Sequence, residues 1–343
     1  MSTSSVDLLR EDACAALEGV LVSALSGKHV LLTGASGLIG THFLFGLAHC
    51  QKSLKAPMNV IAVVQRGVPD HLEWLEQEGY VHFLKGDMAD PNFLRSLPSA
   101  HVIIHAATYG QPGMFTENAI ATLKLNTTAV FALLDNLLAG GQFLFVSTSE
   151  IYSGLAAPPF SEDQVGTTNT VHPRSCYIEA KRCGEAICSA YRNKGVNAKS
   201  ARLCLAYGPG TRAGDKRVIN SFIERALREK AISLLDRGEA RRTYCYIADA
   251  VHMMWRILLE GKDAIYNVGG AAGTTIADLA LLIGGLLDVP VHIPTETNAG
   301  VKGAPDDVRL DLTRFINEFG PVDFRGLKEG VIRTIDWQKT LYA

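Results

Sequence analysis

The chain has 343 residues, 47% hydrophobic and 20% charged, enough to bury a large core as one big domain or two intimately joined ones. Its formal net charge is −2 with Lys and Arg spread throughout, so it lacks the electrostatic footprint of a nucleic-acid or anionic-membrane binder, and small molecules are the expected partners. The seven cysteines, Cys14, Cys50, Cys176, Cys183, Cys188, Cys204 and Cys245, are odd in number and form neither a C-x-x-C pair nor a zinc cluster, which points to a reduced, cytoplasmic compartment.

Near the N-terminus, Leu17, Leu21 and Leu25 recur at helical spacing, which predicts an amphipathic helix over 5–25 that packs on the body or on a second subunit. Asp7, Arg10, Glu11, Asp12 and Glu18 interrupt the apolar residues there, so neither a signal peptide nor a membrane span is expected. From His29 to Ala107, short apolar runs alternate with helical stretches: HVLLTG, NVIAVV, VHFLKGD and HVIIHAA. Such alternation predicts an α/β fold, a doubly wound parallel sheet covered on both faces. It continues through a helix over 118–139, the strand QFLFVSTS, a helix over 174–194 and the strand AKSARLCLA. Beyond Tyr207 the rhythm loosens into a Gly- and charge-rich loop, a helix over 218–229 and short pieces. The expected division is an N-terminal extension (1–26), a doubly wound domain (27–204 and 243–268) and a smaller lobe (205–242 and 269–343), with a shared cleft for a small-molecule substrate.

Directly after the first strand comes Gly34-Ala35-Ser36-Gly37-Leu38-Ile39-Gly40, followed by a helical pattern. Glycines so spaced allow a tight turn, approach of a pyrophosphate to backbone N–H groups and close helix–strand packing. Gly34, Ser36, Gly37, Leu38 and Ile39 are therefore assigned to the cofactor. The second strand runs into Gln65-Arg66, where an acid would favour NAD; the Arg66 guanidinium can pair with the 2′-phosphate of NADP, stack on adenine or lie in solvent. The cofactor is accordingly expected to be NAD or NADP. Asp87 and Met88 after the third strand are placed to reach the adenine, and Ala106 and Ala107 after the fourth leave room for the cofactor backbone.

Tyr177 and Lys181 are four apart in a helical stretch, which puts phenol and ammonium on one face; a nearby cation favours the phenolate, so Tyr177 can act as a base near neutral pH. Ser147-Thr148-Ser149-Glu150 closes an apolar strand at the carboxyl edge of the sheet, where ligands bind in such folds. The two segments are expected to meet over one substrate.

With these motifs in view, the chain from about Lys28 to Leu341 resembles extended short-chain dehydrogenases of the NAD-dependent epimerase/dehydratase family. Arg174-Ser175-Cys176-Tyr177-Ile178-Glu179-Ala180-Lys181-Arg182, Thr148-Ser149-Glu150-Ile151-Tyr152, the segment Ile120 to Asn126, the Tyr207-Gly208-Pro209 turn and Arg241-Arg242-Thr243-Tyr244 most resemble UDP-glucuronate decarboxylases. The resemblance implies a nucleotide-sugar substrate oxidised transiently at C4, with Tyr177 taking the 4-hydroxyl proton, helped by Thr148 and by Lys181, which also binds the cofactor. Glu150 and Ser149 would serve the second step, and Arg217 and Arg242 would grip the diphosphate, with Arg241 and Arg212 as weaker candidates. Sugar 4,6-dehydratases and epimerases are the alternatives within the class, and a non-catalytic dinucleotide-sensing scaffold is the alternative outside it. One departure is Leu205, where the decarboxylases carry an asparagine.

A homodimer is expected through the 118–139 and 174–194 helices, because Ala129, Leu133, Leu137, Ala186 and Ala190 exceed what one sheet face needs. The remaining features have plain structural readings. His101 and His105 share a strand face without a third ligand, so no metal is expected. Glu179 and Glu185 read as exposed helix charges, and Cys176 and Cys183 as packing residues.

Overall fold

The computed structural model describes residues 5–295 and 308–342. Parts of the expected extension and C-terminal lobe, residues 1–4, 296–307 and 343, lie outside the described residues. In chain order the strands are β1 (His29–Thr33), β2 (Asn59–Val64), β3 (His82–Lys85), β4 (Ala100–His105), β5 (Leu137–Thr148), β6 (Asn197–Leu203), β7 (Leu205–Tyr207), β8 (Ile232–Ser233), β9 (Arg241–Tyr246), β10 (Ile265–Val268), β11 (Ala272–Thr275) and β12 (Val291–His292). Among the described residues they form a seven-stranded sheet in the order β10-β6-β5-β4-β1-β2-β3, a three-stranded sheet β11-β9-β7 and a two-stranded sheet β12-β8. Every neighbouring pair in the large sheet is parallel. The continuous apolar runs of β1 and β4 suit central strands covered on both faces, and Val30, Leu31, Leu32, Ile103 and Ile104 are buried. The strand order reverses between β1 and β4, and parallel pairing sets their carboxyl ends side by side, the position at which doubly wound sheets bind ligands.

Three expected elements break. The N-terminal helix spans only Ser5–Ala16, because Gly19 turns into the left-handed region at φ 70° and a 3-10 turn at Val22–Leu25 follows. Leu17 and Leu25 are buried but Leu21 is 61% exposed. The helix packs on the body: Leu8, Leu9 and Ala13 are buried, and the fully buried Asp12 accepts from Tyr246 Oη at 2.8 Å and from Arg333 Nη2 at 2.9 Å. The expected 118–139 helix is two helices, Ala119–Asn126 and Thr128–Asp135, because the Thr127 backbone leaves helical geometry (φ −126°, ψ −76°) while its hydroxyl bonds the Leu123 carbonyl at 2.8 Å. From Leu137 onward the chain is already strand, paired with Ala100. Finally, AKSARLCLA divides at Cys204: β6 stays in the large sheet while β7 joins β9, which carries the chain out of the sheet just past its carboxyl edge. The helices Ser175–Arg192 and Val218–Arg228 lie where the periodicity puts them.

Candidate active site

The glycine turn joins β1 to the Leu38–Gln51 helix. Gly34 sits at φ 71°, and a Cβ on it would stand 2.6 Å from the Ala106 carbonyl, so the end of β4 lies directly against the turn. A Cβ on Gly40 would stand 2.3 Å from the Gly34 carbonyl oxygen, which is why the helix can start so close to the strand. Gly37 occupies the cap position and no side chain caps the helix. The first N–H groups therefore face the sheet edge as an anion-binding end, a good fit to the pyrophosphate of a dinucleotide. Gln65 and Arg66 follow β2, and Gly86 N–H donates to the Val64 carbonyl at 3.0 Å, which seats the exposed Asp87 and buried Met88 alongside. The sheet thus brings the turn, Gln65-Arg66, Asp87-Met88 and Ala106-Ala107 into one row. Arg212, considered above for the substrate diphosphate, instead bonds Ser36 in this turn.

At the end of β5, Thr148 opens a 3-10 turn, accepting from Glu150 N–H at 3.2 Å, so Ser149 and Glu150 are presented together at the sheet edge. Both line a cavity of about 30 Å³ with Tyr152, Ser153, Leu155, Phe160 and Val308. The neighbouring Ser175–Arg192 helix presents Tyr177, buried and stacked on Phe115 with ring centroids 4.6 Å apart. Burial pushes its phenol up to about 12, opposed by the Thr148 hydroxyl and by the positive charges of Arg174 and Arg217, while Glu150 adds to the rise. Burial thus outweighs the lowering by Lys181 that the helical spacing led us to expect. Lys181 Nζ donates to the Val146 carbonyl at 2.5 Å and lies 4.5 Å over the Phe145 ring but 5.9 Å from the Tyr177 ring. Its burial lowers its own value to about 7, with Glu185 opposing.

Burial also raises the Glu150 carboxyl, although Arg174 is ion-paired with it and Arg242 and His172 pull the other way. Arg174 had no assigned role in the sequence, yet from the position just before the tyrosine helix, where its side chain makes no capping bond, it pairs with Glu150; a cation just ahead of Tyr177 was the available signal. Phe115 gave no signal, since it comes from a separate helix, Pro112–Glu117. Arg217 is paired with Asp215, with Nε 3.0 Å from Oδ1, and its charge acts on Tyr177; Arg242 donates to the Arg241 carbonyl at 2.6 Å, and its charge acts on Glu150.

Some plain readings need correction. Glu185 is buried, not exposed: Ser147 donates to its Oε1 at 2.6 Å and Arg202 pairs with Oε2 at 2.8 Å, because its helix face turns onto β5 and β6. Arg202 also donates to Tyr152 Oη at 2.9 Å, and Tyr152 to Asn267 at 2.7 Å, a network beneath the Thr148 turn. Glu179 is partly exposed and pairs with Arg182 at 2.7 Å. Cys176 is partly buried against the Phe115 carbonyl, but Cys183 is exposed on the outer face of its helix and does not pack. His105 is buried between Thr33 and the Leu125 carbonyl, while His101 accepts from the His29 N–H at 3.2 Å. Among the described residues no group of His, Cys, Asp or Glu is arranged to hold a metal.

Fold and site together define a dinucleotide-dependent enzyme of the extended short-chain dehydrogenase class. The model of the NAD dependent epimerase/dehydratase family matches residues 30–269, and the chain belongs to that family. Among curated relatives, UDP-glucuronic acid decarboxylase 1 of Danio rerio is 28% identical over 90% of this chain and 72% of its own length. UDP-glucuronic acid decarboxylase 6 of Arabidopsis thaliana is 29% identical over 83% of this chain and 80% of its own. Among solved structures, the dTDP-glucose 4,6-dehydratase DesIV of Streptomyces venezuelae, with NAD and TYD bound, superposes with a TM-score of 0.78 at 23% identity, covering 91% of this chain and 97% of that one. MoeE5 in complex with UDP-glucuronic acid and NAD gives 0.73 at 24% identity, covering 91% and 99%. These structural likenesses bear on the fold.

Proposed function

We propose that the chain modifies a nucleotide-linked sugar through transient oxidation at C4, and that its substrate is a UDP-hexuronate whose carboxyl leaves as carbon dioxide. A nicotinamide dinucleotide held at the glycine turn would supply the acceptor for the C4 hydride and the donor that restores it, and the positive charge of its oxidised ring would favour the Tyr177 phenolate. Tyr177 accepts the 4-hydroxyl proton, steadied by Thr148 and the Phe115 stack, and Lys181 supplies positive charge behind it. A 4-keto group turns the C6 carboxylate into a β-keto acid, so carbon dioxide leaves with its bonding electrons remaining on C5. Glu150 carries the reading: an acid raised by burial, beside Ser149 and across from Tyr177, is built to hold the proton that C5 then takes. The same acid would serve loss of water from C5 and C6 of a neutral hexose, so a 4,6-dehydratase is the second reading; an epimerase needs no such acid.

Gly34, Ser36, Gly37, Leu38, Ile39, Gln65, Arg66, Asp87, Met88, Ala106, Ala107 and Lys181 are the proposed cofactor residues. Arg66, with no acid beside it at the end of β2, tilts the preference to NADP, whereas the solved relatives cited above hold NAD. Arg217 and Arg242 are proposed to take the diphosphate, Arg217 by exchanging Asp215 for it. The division into cofactor and substrate portions at 204–205 follows the departure of β7 from the large sheet. No described helix is long and apolar enough to cross a membrane. A cytoplasmic setting is proposed on the cysteines, which are free thiols. A homodimer is proposed on partly altered grounds: Ala129 and Leu133 are buried in the chain's own core, but Ala186 and Ala190 are exposed, and Ile120 is 68% and Phe131 48% exposed on the helices Ala119–Asn126 and Thr128–Asp135.

The test is mass spectrometry of UDP-, GDP-, dTDP- and CDP-sugars after incubation with the enzyme. UDP-glucuronate is expected to lose carbon dioxide; loss of water from a neutral hexose would establish the dehydratase, and an unchanged mass with inverted stereochemistry the epimerase.

A further inference from the structure

The glycine turn is gripped from outside the large sheet. Arg212, in the segment that follows β7, donates from Nη2 to the Ser36 hydroxyl at 2.7 Å and to the Ser36 carbonyl at 2.9 Å, and from Nε to that carbonyl at 3.2 Å. The backbone just ahead of it is anchored twice. The His42 ring bonds the Pro209 carbonyl at 2.9 Å, and the Trp337 indole donates to the Thr211 carbonyl at 2.8 Å.

A second cation follows the strand bonded to the same turn. Ala35 N–H donates to the Val63 carbonyl at 3.2 Å, which ties the turn to the end of β2, and Arg66 follows on that strand's exit. Both arginines are exposed, and among the described residues neither forms an ion pair with a carboxylate. Partial burial, and after it the charge of Arg66, lowers Arg212 from its ordinary value. Two like charges converging on a turn whose backbone N–H groups are also positive repel one another unless an anion lies between them.

We propose that Arg66 and Arg212 form a two-sided cradle for a phosphate monoester on the adenosine ribose, so that the 2′-phosphate of NADP is recognised jointly by the sheet edge and by the segment after β7. The proposal rests on the reading that the glycine turn holds a dinucleotide, and it adds a residue from outside the Rossmann sheet to the cofactor's selectivity. Arg212 then serves as a specificity residue: a phosphate that takes its guanidinium also ties the segment after β7 to the turn.

Calorimetric titration of NAD, NADP and 2′,5′-ADP into the full chain tests this at low and moderate salt. Wild type is expected to bind NADP at least about tenfold more tightly than NAD, with the gap narrowing as salt rises. Arg212→Ala and Arg66→Ala should each weaken NADP and 2′,5′-ADP about tenfold while NAD stays within about twofold. The double variant should bind NADP and NAD alike. If Arg212→Ala weakens NAD as much as NADP, Arg212 is only a strut holding the turn, and the cradle is overturned. If wild type binds NAD well but gains nothing from the 2′-phosphate, the cradle also fails while the dinucleotide reading stands. Binding of neither dinucleotide would sink that reading itself, and the cradle with it. Stronger NAD binding on addition of inorganic phosphate would show an anion site not tied to the ribose, and would equally overturn the assignment.

Discussion

Arg174 and Glu150 are ion-paired across the junction between the β5 turn and the start of the tyrosine helix, so the acid proposed for the second half of the reaction is held by the residue that opens the helix carrying Tyr177. Burial raises the Glu150 carboxyl and Arg174 is the first influence opposing it. Replacing the arginine by Met should let the carboxyl rise further. The limb of the pH profile of kcat that reports this acid should move to higher pH, while cofactor affinity is unchanged. An unmoved profile would show that Arg174 does not act through Glu150.

Tyr177→Phe keeps the ring that stacks on Phe115 and removes only the phenol oxygen, so folding and nucleotide binding should persist while turnover falls by about 10² or more. Glu150→Gln should differ in kind. It leaves the first hydride transfer in place, so reduced cofactor should accumulate, visible by absorbance, together with a 4-keto product by mass spectrometry. Full turnover by the phenylalanine variant would refute the mechanism whatever the substrate.

His105 should make the fold acid-sensitive. Its Nε2–H donates to the Leu125 carbonyl at 2.8 Å, so Nδ1 accepts from the Thr33 hydroxyl at 2.6 Å, and the neutral ring is fully satisfied. Burial lowers it to about 3, from an ordinary value of 6.5. The unfolded chain therefore binds more protons between those values. Stability from this group is complete above pH 6.5 and is lost as the pH falls toward 3. Urea midpoints measured from pH 7 to pH 5 should fall, and His105→Asn should fall less steeply from a lower starting point. Parallel slopes would remove His105 from the account.

Arg333 compensates the buried Asp12, which also accepts from Tyr246. Arg333→Met should strand that carboxylate and cost about 3–5 kcal/mol in urea unfolding. Adding Asp12→Leu should recover part of the loss. A single variant within about 0.5 kcal/mol of wild type would show the pair to be dispensable.

Phe131→Glu, on the helix pair with the exposed Ile120, should convert a dimer to a monomer in analytical ultracentrifugation without lowering the thermal midpoint of the subunit below that of wild type at low concentration. A wild-type monomer at micromolar concentration would remove the proposed interface.

Much of the fold was legible because strand and helix periodicities are local. The glycine spacing and the apolar runs of β1, β2 and β4 report burial on both faces, and the Tyr177–Lys181 spacing follows from helix geometry alone. The misplaced boundaries are where a local rule met a competitor. Gly19 ended a stripe of leucines that looked continuous, Thr127 broke one helix into two, and Leu137 was claimed by pairing with Ala100.

By itself the sequence determined the doubly wound class, the glycine turn after β1, and a tyrosine and a Ser/Thr strand end meeting at one sheet edge, because each depends on spacing along the chain. Only the tertiary structure decided the electrostatics. It showed that Glu185 is a buried partner of Arg202, that Lys181 bonds the Val146 carbonyl, that Arg174 holds Glu150, and that Arg212 reaches Ser36 from beyond the sheet. Burial and pairing depend on which distant segments converge, and charge energies change several-fold with the water excluded around them, a quantity that no spacing in a sequence encodes.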